Sequence, residues 1–138
     1  MFPSLGYIFC KFSDIMGKIL IVDDQPAICQ FLSTLFSSHA MVKTSESLED
    51  AMLALSQDNF SLVISDLSLK GRNGKEGFEL LSYIRSKRLS TDVIIMTGLG
   101  TEEIKKDALR LGATHFFEKP FDIRHLLSKV NTILGRES

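Results

Sequence analysis

The regular part of the chain begins with the stretch KILIVDD, residues 18–24, and this stretch decides the fold. Four consecutive apolar residues, three of them β-branched, are typical of a strand that is buried on both faces. Two aspartates follow, and a proline just beyond them is typical of a helix start. Short segments typical of strands recur at 41–43, 62–64, 93–96 and 115–117, and each is followed by apolar residues at helical spacing. The chain therefore predicts five strands that alternate with five helices.

Strands that alternate with helices pair in parallel through right-handed crossovers, and their helices cover both faces of the sheet. The sequence therefore predicts an α/β fold, a doubly wound five-stranded parallel sheet with strand order 2-1-3-4-5. In that order the ligand crevice lies at the carboxyl ends of the strands, beside the first and the third. Asp24 is a candidate cap for the first helix and Ser47 for the second, and Gly112 is expected to end the fourth.

Length and composition limit the class of protein. The 138 residues suit one domain, and 44% hydrophobic with 24% charged residues is typical of a soluble globular protein. A net charge of −1 argues against a dedicated nucleic-acid binder. The longest apolar runs are far shorter than the ~18 residues of a membrane span. Cys10 and Cys29 lack the spacing of a metal site or a disulfide framework, so a reducing cytoplasm is the expected location.

Residues 1–16 differ from the rest of the chain because ten of them are apolar without helical or strand spacing. In a secretory signal a cation precedes the apolar stretch, whereas the first cation here, Lys11, follows it. We expect residues 1–16 to form a loose N-terminal extension, and an apolar arm that docks on this domain or on a partner is the alternative. Residues 17–135 are expected to form the single domain, and residues 136–138 a short tail.

Residues that carry chemistry follow four of the predicted strands. They are Asp23 and Asp24 after the first strand, Asp66 after the third, Thr97 after the fourth and Lys119 after the fifth. Each alone has an ordinary explanation, such as a helix cap, a turn or a solvated lysine. Together they would converge at one sheet edge, where three carboxylates repel one another unless a cation is present. Oxygen ligands suit Mg²⁺, and a carboxylate kept ionised beside the metal can attack phosphorus, so the pattern predicts an aspartyl-phosphate site.

Five ordered motifs then point to a family. They are ILIVDD at 19–24, LVISD at 62–66, GFELL at 77–81, IIMTG at 94–98, and GA at 112–113 leading to FFEKPF at 116–121. Together they resemble the receiver domains of two-component response regulators, from Lys18 to about Leu134. The resemblance implies a flavodoxin-like, chemotaxis-regulator-like fold and a stand-alone response regulator that acts in phosphorelay signal transduction.

The resemblance implies a role for each site residue. Asp66 corresponds to the phosphoacceptor, and Asp23 and Asp24 to the acidic pair that holds Mg²⁺. The backbone carbonyl of Ser68 corresponds to a further metal ligand beside these three carboxylates. The phosphoryl donor would be a histidine kinase or a phosphotransfer protein.

Two further positions correspond to the switch of the family. Thr97 matches the switch hydroxyl and Lys119 the lysine that contacts the phosphoryl group. Phe116 occupies the aromatic switch position, where a phenylalanine equally suits the core. The Lys119-Pro120 bond is expected to be cis. The downstream partner would be a protein that binds the face of helix 4, strand 5 and helix 5, without direct contact to nucleic acid.

The chain departs from the family pattern in two places. The loop Lys70–Glu76 is longer than usual, and Lys70 stands where the family has a proline. We expect a tolerated surface insertion, and a specificity loop for the kinase is the alternative. Leu99 cannot hydrogen-bond an attacking water, which predicts a moderately long-lived phosphoryl group.

Other functions on this fold are less consistent with the residues. A flavoprotein needs a phosphate-binding loop after the first strand, where Asp23 and Asp24 would repel a phosphate. A receiver that works without phosphorylation is disfavoured because all five chemical positions are filled. A DNA-binding regulator is disfavoured because the sequence ends soon after the fifth helix. The protein is not expected to be an enzyme beyond catalysing its own phosphotransfer and slow autodephosphorylation.

Overall fold

The computed structural model describes residues 17–69, 74–87 and 89–135. The predictions for residues 1–16, residues 136–138 and the middle of the long loop, residues 70–73, lie outside the described residues. The described chain alternates strands with helices throughout. Their bounds are β1 Lys18–Val22, α1 Pro26–Phe36, β2 Met41–Ser45, α2 Leu48–Gln57, β3 Leu62–Asp66, α3 Glu76–Ser86, β4 Asp92–Thr97, α4 Glu102–Arg110, β5 His115–Glu118 and α5 Ile123–Gly135.

The strands form one parallel sheet in the order β2-β1-β3-β4-β5, so the predicted order 2-1-3-4-5 is confirmed. The register aligns the carboxyl ends of the central strands. Val22 of β1 pairs with Ser65 of β3, so Asp23, which follows Val22, lies level with Asp66. Thr97 of β4 pairs with Glu118 of β5, directly before Lys119. The polar residues that follow the strands therefore share one edge of the sheet.

Each face of the sheet has its own apolar core, because successive strand side chains point to opposite faces. One cluster joins residues of β1, β3 and β4 to α2, α3 and α4; its strand members are Leu20, Val22, Val63, Val93 and Ile95. The other joins the same sheet to α1 and α5; its strand members are Ile19, Ile21, Leu62, Ile64, Ile94, Met96 and Phe117. Helices cover both faces, as predicted. In the part of the chain that the structure describes, no helix is long and apolar enough to cross a membrane.

The helix starts confirm one predicted cap and correct another. The Ser47 hydroxyl accepts a hydrogen bond from the Asp50 N–H (3.1 Å), as expected for a cap. Asp24 does not cap α1: the N-cap residue is Gln25, whose N–H donates to Asp23 Oδ1 (2.9 Å). The carboxylate of Asp23 satisfies this turn, and Pro26 begins the helix one residue later than an Asp24 cap would allow. Asp24 is therefore not used as a helix cap.

Arg85, in the last turn of α3, binds the two segments that precede β4 and β5 at the amino-terminal edge of the sheet. Its Nη1 donates to the carbonyls of Thr91 (2.7 Å) and Leu89 (3.2 Å), just before β4. Its Nε and Nη2 donate to the carbonyl of Gly112 (3.2 and 2.8 Å), which precedes β5. A guanidinium is suited to this role because its donors lie in a rigid fork.

Replacing Arg85 by Met keeps an unbranched apolar stem and leaves these three carbonyls without their charged donor. We expect the free energy of unfolding to fall by about 2 kcal/mol. Urea unfolding followed by circular dichroism measures the change. Arg110→Met is the matched control: the exposed side chain of Arg110 pairs with Asp107 (3.3 Å), and its loss should cost under about 0.5 kcal/mol. Equal losses for the two variants would contradict the role of Arg85.

Candidate functional site

Three aspartates meet at the carboxyl edge of the sheet. One carboxylate oxygen from each of Asp23, Asp24 and Asp66 lies within 4.8 Å of the others. Asp23 is fully buried, Asp66 is 9% exposed and Asp24 is half-buried. The residues come from the end of β1 and the end of β3, which are neighbours in the sheet. The predicted convergence of the three carboxylates is confirmed.

Lys119 reaches into the same cluster. Its Nζ lies 3.3 Å from Asp66 Oδ2 and 3.4 Å from Asp23 Oδ2, and its side chain is only 25% exposed. The backbone holds this residue in place: the Lys119 N–H donates to the Thr97 carbonyl (2.8 Å), and the Lys119-Pro120 peptide is cis as predicted. Lys119 is therefore part of the cluster and not a solvated surface lysine.

The electrostatics of the cluster favour an added cation. Burial raises the pKa of the Asp66 carboxyl, and repulsion from Asp23 raises it further. The attraction of Lys119 lowers this pKa, but by less than burial and Asp23 together raise it. The described cluster thus places three carboxylates against one ammonium group. An all-oxygen donor set with excess negative charge matches the preference of Mg²⁺, so the residues present fit such an ion.

Thr97 lies at the end of β4 with 4% of its surface exposed. Its Oγ1 accepts a hydrogen bond from the Leu99 N–H (3.0 Å), which leaves the hydroxyl proton available for a different acceptor. The following residues are open to solvent: a side chain at Gly98 would meet no atom within 4 Å, and Leu99 is 74% exposed. The edge of the site on this side is therefore accessible from solution.

Phe116 lies on β5, three residues before Lys119, and Ser68 lies two residues after Asp66. Phe116 pairs with Ile95 in the sheet, is half-buried, and packs against the cluster that includes α2, α3 and α4. Ser68 is exposed, and the residue before it is anchored because the Leu67 N–H donates to the Met96 carbonyl (2.8 Å). The switch role of Phe116 and the metal-ligand role of the Ser68 carbonyl stay predictions.

Two features of the site were missed by the sequence prediction. A Cβ atom at Gly77 would lie 2.6 Å from the Asp66 carbonyl oxygen and 2.8 Å from Leu67 Cα, so only glycine allows α3 to approach the end of β3. A Cβ atom at Gly100 would overlap the side chain of Glu118, which covers this turn. Glycine at the start of an apolar helical stripe was a usable signal for the first contact, while nothing in the sequence indicates the second.

With this geometry in place, comparison with known proteins identifies the family. Residues 19–131 match the model of the response regulator receiver domain, so the chain belongs to that family. Receiver domains of two-component response regulators are phosphoacceptor signalling domains, and binding of Mg²⁺ at an acidic pocket is general to them. The family and the fold predicted from the motifs are both confirmed.

Curated relatives are longer than this chain. The response regulator protein FleR of Pseudomonas aeruginosa is 36% identical over 116 residues, which cover 83% of this chain and 24% of that protein. The transcriptional regulatory protein FixJ of Bradyrhizobium diazoefficiens is 30% identical over 122 residues, which cover 86% of this chain and 57% of that protein. The chain thus spans between about a quarter and just over half of the length of these relatives.

Solved structures agree with the fold. The receiver domain of the Francisella response regulator 1452 superposes with a TM-score of 0.79 at 27% identity, covering 88% of this chain and 99% of that one. The BeF3-activated DrrB receiver domain gives a TM-score of 0.77 at 30% identity, covering 88% of this chain and 99% of that one. The chemotaxis protein CheY4 of Vibrio cholerae gives a TM-score of 0.74 at 27% identity, covering 86% of this chain and 98% of that one.

Replacing Asp66 by Asn should stabilise the metal-free protein at neutral pH. An unfolded aspartate ionises near pH 4, whereas the folded protein holds this proton to higher pH, so ionisation of Asp66 favours the unfolded chain. The advantage of the Asn variant should vanish below about pH 3.5, where both states of the wild type are protonated. Urea unfolding across a pH series in EDTA measures the difference in the free energy of unfolding between the variant and the wild type.

Asp58→Asn is the control with the opposite sign. The hydrogen bond from Lys18 Nζ (2.9 Å) lowers the pKa of the Asp58 carboxyl, so this carboxylate stabilises the fold at neutral pH. Its Asn variant should be slightly less stable than the wild type at pH 7, and the difference should be lost as the pH falls through the lowered pKa. An Asp66→Asn variant that is less stable than the wild type at neutral pH would contradict the account of the cluster.

Proposed function

We propose that this protein is a response regulator that accepts a phosphoryl group on Asp66 from a histidine kinase or a phosphotransfer protein. The observation that carries the proposal is the position of Lys119 Nζ, 3.3 Å from the Asp66 carboxylate and 3.4 Å from that of Asp23. A buried carboxylate beside an ammonium group and a second acidic residue has both the nucleophile and the charge compensation that phosphoryl transfer needs.

Asp23, Asp24, Asp66 and the backbone carbonyl of Ser68 are the proposed ligands of Mg²⁺. The ion, when bound, supplies positive charge that neutralises the oxygens of the incoming phosphoryl group. A carboxylate oxygen of Asp66 attacks phosphorus, a new P–O bond forms, and the bond from phosphorus to the donor breaks. The electron pair of that bond leaves with the donor, which is the imidazole nitrogen of a phosphohistidine or the oxygen of an acyl phosphate.

The chain's own groups then hold the transferred phosphoryl group. Lys119 contacts one of its oxygens, and the Thr97 hydroxyl donates a hydrogen bond to another. Because the Thr97 carbonyl already accepts the Lys119 N–H, the ends of β4 and β5 respond together. Phe116 moves with β5. As a result, the face formed by α4, β5 and α5 changes its affinity for a downstream protein target.

Several finer statements belong to this proposal. The protein acts in the cytoplasm through the domain of residues 17–135, which catalyses only its own phosphotransfer and slow autodephosphorylation. No direct contact with nucleic acid is part of the proposal, although the relative FixJ is named a transcriptional regulatory protein. The acidic residues after β1 disfavour a flavoprotein, since they would repel a bound phosphate.

Incubation with Mg²⁺ and a small acyl phosphate should add one phosphoryl group to the wild type, measured by intact mass. Asp66→Asn should remain unmodified because it lacks the nucleophile, and EDTA should prevent the reaction of the wild type. Asp58→Asn is the matched control, since Asp58 pairs with Lys18 away from the cluster and should leave phosphorylation unchanged. A folded wild type that gains no mass under these conditions would favour a receiver that works without phosphorylation.

The exposed side chain of Leu99 should protect the phosphoryl group from water. Leu99→Asn introduces an amide that can hydrogen-bond an attacking water, so the half-life of the phosphorylated protein should fall several-fold. Leu109→Asn, the same change at an exposed leucine of α4, should leave the half-life unchanged. The decay of the phosphorylated species, followed by intact mass after removal of the donor, measures both. Equal half-lives for the two variants would show that Leu99 has no protective effect.

A further inference from the structure

Glu76, the first residue of α3, is a buried carboxylate with only 2% of its surface exposed. Its Oε1 accepts the N–H of Leu69 (3.1 Å), and its Oε2 accepts the N–H of Gly74 (3.2 Å). One side chain therefore binds the backbone on both sides of residues 70–73. The position at a helix start favours a negative charge there, because the first turn of a helix has unpaired N–H groups.

The bond to Leu69 acts on the peptide unit that matters for the proposed metal site. The N–H of Leu69 and the carbonyl of Ser68 belong to the same peptide, which is planar. In a trans peptide the N–H and C=O groups point in opposite directions. The carboxylate on the N–H side therefore fixes the direction of the Ser68 carbonyl, on the side away from Glu76.

The same hydrogen bond also changes the carbonyl electronically. A negatively charged acceptor on the N–H polarises the peptide and increases the negative charge on its oxygen. Outer groups that hydrogen-bond to a metal ligand commonly orient that ligand and strengthen it.

The surrounding contacts leave this peptide little freedom to rotate. The Leu67 N–H donates to Met96 and the Leu67 carbonyl accepts the N–H of Gly77, each at 2.8 Å. The chain is thus held at Leu67 by the sheet and by α3, and at Leu69 by Glu76. Ser68 lies between these two anchors, directly after the phosphoacceptor segment.

We propose that Glu76 is a positioning residue for the metal site, and that it acts through the Ser68–Leu69 peptide. The proposal rests on the proposed function, in which the Ser68 carbonyl is a ligand of Mg²⁺. It assigns to a residue of the lengthened loop a role in metal affinity, whereas a purely structural role would affect only the stability of the loop.

The test compares Mg²⁺ binding to the wild type, Glu76→Gln and Glu76→Ala by isothermal titration calorimetry, without any phosphoryl donor. Glu76→Ala removes both acceptors and should weaken binding about tenfold, the lower end of the usual effect of such outer groups. Glu76→Gln keeps one acceptor oxygen and should fall between the wild type and the alanine variant. Glu79→Gln, which removes a negative charge one turn further along α3, should bind Mg²⁺ like the wild type.

Urea unfolding in EDTA and in excess Mg²⁺ separates positioning from stability. A tenfold loss of affinity removes about 1.4 kcal/mol from the stabilisation that excess Mg²⁺ adds, whatever the stability in EDTA. Glu76 variants that are less stable in EDTA but keep the full increment from Mg²⁺ would overturn the proposal. If Glu76→Ala does not fold, Glu76→Gln decides by the same comparison. A wild type that binds no Mg²⁺ would overturn the proposed function itself, which is a different result.

Discussion

Lys119 places one positive charge between two buried carboxylates, those of Asp23 and Asp66, and the function of the fold depends on this imbalance. With Asp24 close by, the negative charge of the cluster exceeds what one ammonium group can balance. Burial, together with repulsion from Asp23, raises the pKa of the Asp66 carboxyl, so the excess can be met by a proton or by a divalent ion. A proton would remove the nucleophile that we propose at Asp66 and a metal ion would preserve it, so in this proposal metal binding and reactivity at Asp66 are linked through the same charge.

The fold maintains this cluster against its own repulsion by fixing backbone positions. The parallel register places the end of β1 level with Asp66, and the hydrogen bond from the Lys119 N–H to the Thr97 carbonyl joins β5 to β4. Gly77 then allows α3 to contact the Asp66 carbonyl from the other side. The energy for these constraints comes from the apolar clusters on both faces of the sheet.

The sequence predicted the parts of this structure that depend on local pattern. Apolar runs of strand length, helical stripes and the order of the elements were enough for the sheet, and the rule for the carboxyl edge located Asp66, Thr97 and Lys119 together. The cap of α1 was predicted wrongly, because Asp23 and Asp24 are both chemically able to accept the N–H of the turn. The roles of Glu76 and Glu118 depend on contacts across loops, and no periodicity in the sequence reports such contacts.

The four hydrogen bonds from Arg85 to three backbone carbonyls give the two edges of the sheet different local stabilities. At the amino-terminal edge, Arg85 binds the segments before β4 and β5, and the Thr91 hydroxyl donates to the Phe60 carbonyl (2.8 Å) before β3. At the opposite edge, Gly98 lies in open space beside a solvent-exposed Leu99. Native-state opening should therefore spread from the reactive edge inward, with amide hydrogen exchange fastest there. The segment after β4, where we propose contact with a phosphoryl group, can thus rearrange repeatedly while the opposite half of the molecule stays folded.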